Sequence, residues 1–225
     1  LKLSPAVGRK TVNRAVKEIL RYLIMLFAFL IMAAGTVLVV QAGLGAPPWD
    51  VFHLALTAYL PLTFGQVIQG IGLLAIIISW LLKVKPGLGT LLNMYFIGLF
   101  VDLIIRWGIM PRPEALGLQL LQLAGGTFIF AYGTAMYISL NRGAGPRDSL
   151  MVAISRLTGL KLGLVRSLLE IAATISGYLL GGPLGAGTII FALGMGPSLE
   201  GSFLLLNRQR RLLRRRLLAG RKVQG

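Results

Sequence analysis

Six long apolar runs, separated by short stretches rich in glycine, proline and charge, organise this chain. They cover Tyr22–Ala42, Gln66–Leu82, Gly89–Ile105, Ala115–Leu140, Gly163–Leu180 and Ala186–Leu206. Each is close to the length needed to cross roughly 30 Å of hydrocarbon at about 1.5 Å per helical residue. Between the first two runs, Pro48 opens an apolar helix expected to reach Tyr59, too short to cross, with the turn Pro61–Gly65 after it. A second short helix is expected within Asn141–Leu162. The pattern predicts an all-α integral membrane protein with six transmembrane helices and two short helices that break the spanning order.

The pattern occurs twice. A shift of 98 residues, without a gap, places Gly45, Ala46, Pro48 and Asp50 on Gly143, Ala144, Pro146 and Asp148. The flanks follow: Gly35 and Thr36 fall on Gly133 and Thr134, Gly65 on Gly163, Gly87 and Gly89 on Gly185 and Gly187, Gly98 on Gly196, and Asp102 on Glu200. Small residues and prolines at fixed offsets constrain backbone, so they point to a duplicated fold rather than to shared apolar composition. The chain therefore divides into a basic segment 1–21, a membrane repeat 22–105, a second repeat 115–206 and a basic tail 207–225. A segment upstream of Leu1 is left open, and the stretch present does not end in a signal-peptidase site.

Composition agrees with a membrane protein, apolar residues making up 56% of the chain and charged residues 13%, against about 25% charged in an ordinary globular domain. A net charge of +16 invites a nucleic-acid reading, but the basic residues crowd the tails and a few loops instead of forming a face interleaved with aromatics, so no nucleic-acid partner is expected. With both termini in the cytoplasm of a plasma-membrane protein, 21 of the 23 Lys and Arg fall on the cytoplasmic side and only Arg106 and Arg112 outside. That balance requires three spans per repeat, and an odd number makes the two repeats inverted. Inverted repeats bring equivalent motifs together near the bilayer midplane, with each short helix re-entrant. With no cysteine and a single histidine, no metal site is expected. No nucleotide-binding or nucleophile–base motif stands in the chain, so neither an enzyme nor a cofactor is expected.

The candidate site is the motif pair. Gly45 and Gly143 permit unwound backbone, and Pro48 and Pro146 suit a first helical turn where the missing N–H is no loss. Irregular backbone at lipid depth is tolerated where protein buries it or where it lines a cavity. Asp50 and Asp148 then read in two ways, as caps of their own helices or as groups lining a solute path. Trp49 stands opposite Arg147 in the alignment, so the site is chemically asymmetric. Arg147 adjoins Asp148 and is expected to keep it ionised, whereas no Lys or Arg lies between Gln41 and Gln66, which leaves Asp50 the better coupling group. Glu170, with Arg166 at i−4, reads as a packing ion pair or as a coupling site. Asp102 and Glu200 read as interfacial, Asp102 within reach of Arg106, and His53, Trp49 and Asn93 as packing residues, Trp49 alternatively as an interface anchor or cavity wall.

The runs GLGAPPWDVFH, KVKPGLGT and GPRDSL resemble the YczE-like (YczE/YyaS/YitT) group of bacterial membrane proteins, from about Gly35 to Gly201. The resemblance implies a membrane protein and no particular solute. Three functions remain open: a small-solute transporter or channel whose path runs between the broken helices, a lipid flippase or scramblase, and a non-transporting membrane subunit or regulator. The expected partners are the bilayer, anionic lipids at the basic tail and an unknown small solute, with a homodimer or a partner membrane protein left open.

The tail NRQRRLLRRR, Asn207–Arg216, is expected to continue the last span as a helix along the cytoplasmic surface, with Leu212 and Leu213 towards the acyl boundary. Each arginine near an anionic surface is worth about 1 kcal/mol. Replacing Arg210, Arg211, Arg214 and Arg215 with Gln should weaken association with anionic nanodiscs; an unchanged lipid preference would leave the tail only a topological role.

Overall fold

The computed structural model describes the backbone of residues 5–223 and the side chains of residues 16–212. Eight helices follow in order: α1 (Pro5–Gln41), α2 (Pro48–Thr57), α3 (Phe64–Leu81), α4 (Leu88–Trp107), α5 (Leu116–Ser139), α6 (Pro146–Thr158), α7 (Leu162–Leu179) and α8 (Ala186–Val223). Among the described residues there is no strand. Six of the helices are long and apolar enough to cross a membrane, while α2 and α6, at 10 and 13 residues, are not. The last helix runs unbroken from the sixth span through the arginine-rich tail, because Leu, Arg and Gln sustain a helix well. The expectation for the side chains of Leu213, Arg214 and Arg215 lies outside the described residues.

The helix boundaries carry the repeat. Both α2 and α6 begin on a proline, Pro48 and Pro146; α3 and α7 occupy 64–81 and 162–179; α4 and α8 begin at 88 and 186; α1 and α5 end at 41 and 139. Even a left-handed turn recurs after α3 and α7, at Lys83 (φ 65°) and at its counterpart Gly181 (φ 82°). Glycine adopts that conformation freely, whereas Lys83 bears a steric cost.

Small residues set the packing. Equivalent helices α1 and α5 run antiparallel against each other. Gly35 lies on Phe130, Gly126 beside Val39 and Gly133 on Met32, one residue number falling as the other rises. A Cβ on Gly35 would stand 2.5 Å from the Phe130 backbone nitrogen, and one on Gly133 2.8 Å from the Ala28 carbonyl oxygen. Such close approach raises van der Waals contact where lipid supplies no hydrophobic drive. The short helices cross over between the halves, α2 lying on α7 and α6 on α3.

The unwound segments cross over as well. Leu44 accepts a hydrogen bond from the Gly187 amide at 2.7 Å, and the Ala46 amide donates to the Pro183 carbonyl at 3.0 Å. On the other side the Thr90 hydroxyl donates to the Ala144 carbonyl at 2.7 Å. Thus the motif of each half is held by the helix start of the opposite half. Gly45 (φ 121°) and Gly143 (φ 131°) make this possible, since a side chain at either would be strained and would meet Thr188 or Thr90.

One contact is not duplicated. In the first half α3 packs along α4, with Gly65 and Gly98 against each other's carbonyl groups. Asp102 closes that end by accepting from the Gly65 amide at 2.8 Å and from the Thr63 hydroxyl. It is therefore an inter-helix cap of α3 rather than a freely solvated interfacial group, and no Asp102–Arg106 ion pair is formed. An apolar cluster of Ala33, Val37, Phe64, Val101 and Ile104 seals the same end. In the second half Gly163 and Gly196 have nothing within 4 Å, and α7 and α8 share no packed interface.

Glycine packing makes a direct prediction. Gly177→Ala would place a Cβ 2.5 Å from the Phe52 backbone nitrogen, and overpacking of this kind costs about 1–3 kcal/mol. Thermal unfolding in detergent should show a clear loss for Gly177→Ala and almost none for Gly163→Ala, which has open space around it. Equal melting temperatures would contradict the α2–α7 packing.

Candidate functional site

Where the two motifs meet, a cavity of about 250 Å³ lies between the first turns of α2 and α6. Of the expected site residues, Pro48, Trp49, Asp50, Pro146, Arg147, Asp148 and Glu170 all line it. Gly45 and Gly143 do not. They stand behind it as the positive-φ turns that let the backbone reach the opposite half. The volume lies below the roughly 300–1,000 Å³ of drug-sized pockets and suits a small solute.

Asp50 is the buried centre. Its carboxylate is only 6% exposed, and Oδ1 sits 2.9 Å from His53 Nδ1, one turn along the same helix. Arg147, from the other half, brings Nη2 to 3.6 Å from that same oxygen, an ion-pair distance longer than a hydrogen bond. The guanidinium also lies over the Trp49 ring, 5.0 Å from its centroid. Trp49 and Arg147, mismatched in the alignment, therefore stack on each other across the repeat. A charge as buried as Asp50 requires such partners. With the Asp50 carboxylate accepting at Nδ1–H, His53 Nε2 is buried without a protein partner.

Arg147 lies near both aspartates, but its ion pair is with Asp50, and Asp148 acts on it from beyond ion-pair distance. In the first turn of α6 the side chain at 147 projects towards α2, while the Asp148 carboxylate turns back to accept the Gly145 amide at 3.3 Å. Asp148 has no cation within 4 Å among the described residues. The cap and path readings thus separate: Asp148 caps its helix while facing the cavity, and Asp50 makes no cap, since no side chain caps α2. The two aspartates are inequivalent, with the cation on the one that sequence left alone.

Glu170 meets Arg166 at 3.0 Å on α7, half-exposed at the cavity edge. Asn93, read as packing, is buried in the wall opposite Gly145. Tyr137, which sequence reading did not single out, has its hydroxyl buried at the cavity without a protein partner. Nothing in the local pattern marks Tyr137, but the Asp50–His53 pair was accessible from i,i+3 spacing on one helix face. Met32, Met94, Met151 and Met195 complete a wall that can adapt to a ligand's shape. No group of three or more His, Cys, Asp or Glu among the described residues could hold a metal ion. Chemically, the cavity wall offers three carboxylates and two guanidiniums beside the neutral polar groups of Thr36, Asn93, Thr134 and Tyr137, with the His53 imidazole behind Asp50, and so can bind charge.

Comparison with known proteins agrees on the membrane character. The chain is 38% identical over 173 residues to an uncharacterized protein of Haemophilus influenzae, covering 77% of this chain and 78% of the relative. It is 35% identical over 195 residues to the uncharacterized membrane protein YczE of Bacillus subtilis, covering 84% and 90%. The uncharacterized protein YyaS of the same organism is 26% identical over 76% of this chain and 86% of its own length. No solved structure matches. Residues 19–201 match a family of unknown function, DUF6198, and with its six candidate spans the chain belongs to that YczE-like family of multi-pass membrane proteins.

Proposed function

We propose that the protein is a small-solute membrane transporter or channel whose path runs through the cavity between the first turns of α2 and α6. The two halves are inverted three-helix repeats, a reading supported by the antiparallel packing of the equivalent helices α1 and α5. The short helices are re-entrant: each ends well before a membrane thickness and rests on the opposite half. Both termini lie in the cytoplasm of a plasma-membrane protein, as the distribution of Lys and Arg favours.

The single observation carrying the reading is the convergence of Asp50, Arg147, Asp148 and Glu170, from both halves, on one cavity. Charged groups are expensive inside a bilayer, about 2.5–3.5 kcal/mol each at a helix centre, and concentrate on solute and ion pathways. The lining holds three carboxylates, Asp50, Asp148 and Glu170, against two guanidiniums, Arg147 and Arg166, which leaves one negative charge in excess. A solute carrying a positive charge, zwitterion or cation, fits that balance. Lipid handling is a second reading, favoured by the uncovered faces of α7 and α8, where Leu164, Leu168, Ile175 and Leu193 are exposed.

Topology is tested with cysteines, of which the chain has none. Ala55 and Ala153, natural counterparts for labelling, are buried, so Tyr59 and Leu157, 65% and 69% exposed, are the better pair. Tyr59→Cys should react with an impermeant thiol reagent from outside and Leu157→Cys from the cytoplasm; labelling from one common face would end the inverted arrangement.

The path is tested without knowing the solute. Met195→Cys, on the cavity wall, should react with a small water-soluble thiol reagent in proteoliposomes, and inertness towards it would contradict an aqueous path. Against a panel of radiolabelled organic cations and zwitterions, Asp50→Asn should lower uptake tenfold or more, measured at a temperature below the variant's own melting transition so that it is compared in its folded state. Full uptake by that variant would remove Asp50 from the path.

A further inference from the structure

The two halves share one plan but hold one of its contacts differently. At one end, α3 and α4 are closed: Gly65 meets Gly98, Asp102 binds the Gly65 amide and Thr63, and Val37, Phe64 and Val101 fill the space behind. At the equivalent end of the second half, Gly163 and Gly196 face open space. The counterparts of Phe64 and Val101 are Leu162, 44% exposed, and Leu199, which lines the cavity. Arg166 and Leu169 line it too, so the cavity extends from the midplane motifs towards the α7–α8 cleft.

The open end nevertheless retains the chemistry of the closed one. The counterparts of Thr63, Gly65, Gly98 and Asp102 are Lys161, Gly163, Gly196 and Glu200. A hydroxyl–carboxylate pair has become an ammonium–carboxylate pair, each side chain longer. Both Lys161 and Glu200 are exposed, and neither forms an ion pair among the described residues. An unused glycine face flanked by an unused, complementary charge pair, at the positions that close the other half, is what a gate in its open state would look like.

We propose that the protein is an alternating-access carrier rather than a continuous channel, and that α7–α8 is the open member of two symmetry-related gates. Closure brings Gly163 onto Gly196 and pairs Lys161 with Glu200, while the α3–α4 gate releases Asp102 from Thr63 and Gly65. Under the topology argued above, the present conformation faces the cytoplasm. The inference rests on the transport reading for its biological meaning, but the gate exchange itself is measured without any solute. Halves built on one plan make such an exchange possible, because each conformation of one half is available to the other.

Spin-label pairs placed on exposed, equivalent positions report both gates: Leu62→Cys with Arg106→Cys, and Leu160→Cys with Leu204→Cys. In nanodiscs the first pair should give the shorter distance and the second the longer. Adding Thr63→Val and Asp102→Asn, which removes the α3–α4 closure, should lengthen the first distance and shorten the second by about 5 Å or more. A change in the first distance with the second fixed, or no change in either, would overturn the two-gate proposal. Should that background fail to fold, oxidative cross-linking of Lys161→Cys to Glu200→Cys in otherwise unaltered protein decides. A bond formed in native membranes supports closure, and none formed excludes it. Exchanging distances in a protein that moves no solute would sink the transport reading alone. Fixed distances around a water-accessible Met195→Cys would sink the carrier and leave a channel.

Discussion

Backbone that leaves helical order inside a membrane protein has to find its hydrogen-bond partners in protein, because lipid offers none. This chain meets that constraint by sending each unwound segment to the other half. Leu44 and Ala46 bond to the Pro183–Gly187 turn, and Ala144 accepts from Thr90. Part of each motif's backbone is thus satisfied only by the opposite half, which interlocks the two. The same exchange places α2 on α7 and α6 on α3, and brings the first turns of both short helices to one cavity. Glycine is the enabling residue at these crossings, at Gly45 and Gly143 through positive φ and at Gly177 and Gly35 through close approach.

The polar site follows from that interlock. Arg147 stands at the start of α6, within the field of Asp148 and Glu170 of its own half, and α6 reaches across the molecule and delivers it to Asp50 and Trp49. The two helix starts are similar, and they differ at one corresponding position, Trp49 in one and Arg147 in the other, where the two side chains stack on each other. The second divergence lies at the ends of the halves, where one hairpin is sealed by an apolar cluster and its counterpart stands open to the cavity.

Much of this was legible in the chain. The six spans and both short helices follow from apolar run length and from prolines at fixed places, because lipid thickness and helix geometry leave few alternatives. The 98-residue repeat shows in glycine positions, which report backbone rather than composition. The pairing of charges was not legible. Sequence adjacency assigned Arg147 to Asp148, but consecutive residues on a helix point about 100° apart, and the partner of a side chain at a helix start is whatever the opposite half presents. Likewise, Asp102 and Glu200 are both acids near a helix end, but Asp102 bonds Thr63 and Gly65 while the α7–α8 cleft leaves Glu200 without an equivalent contact, a difference set by how far two helices stand apart.

The central claim is that one charged site is assembled from both halves through Asp50 and Arg147. A double-mutant cycle on thermal stability in nanodiscs tests it most directly, with Asp50→Asn, Arg147→Gln and the pair together. If the two charges face each other across the cavity, each single change strands the other charge, and the double variant is more stable than the sum of the two losses predicts, by about 0.5–3 kcal/mol. Strictly additive losses would mean that Asp50 and Arg147 do not meet, and the shared site would have to be abandoned.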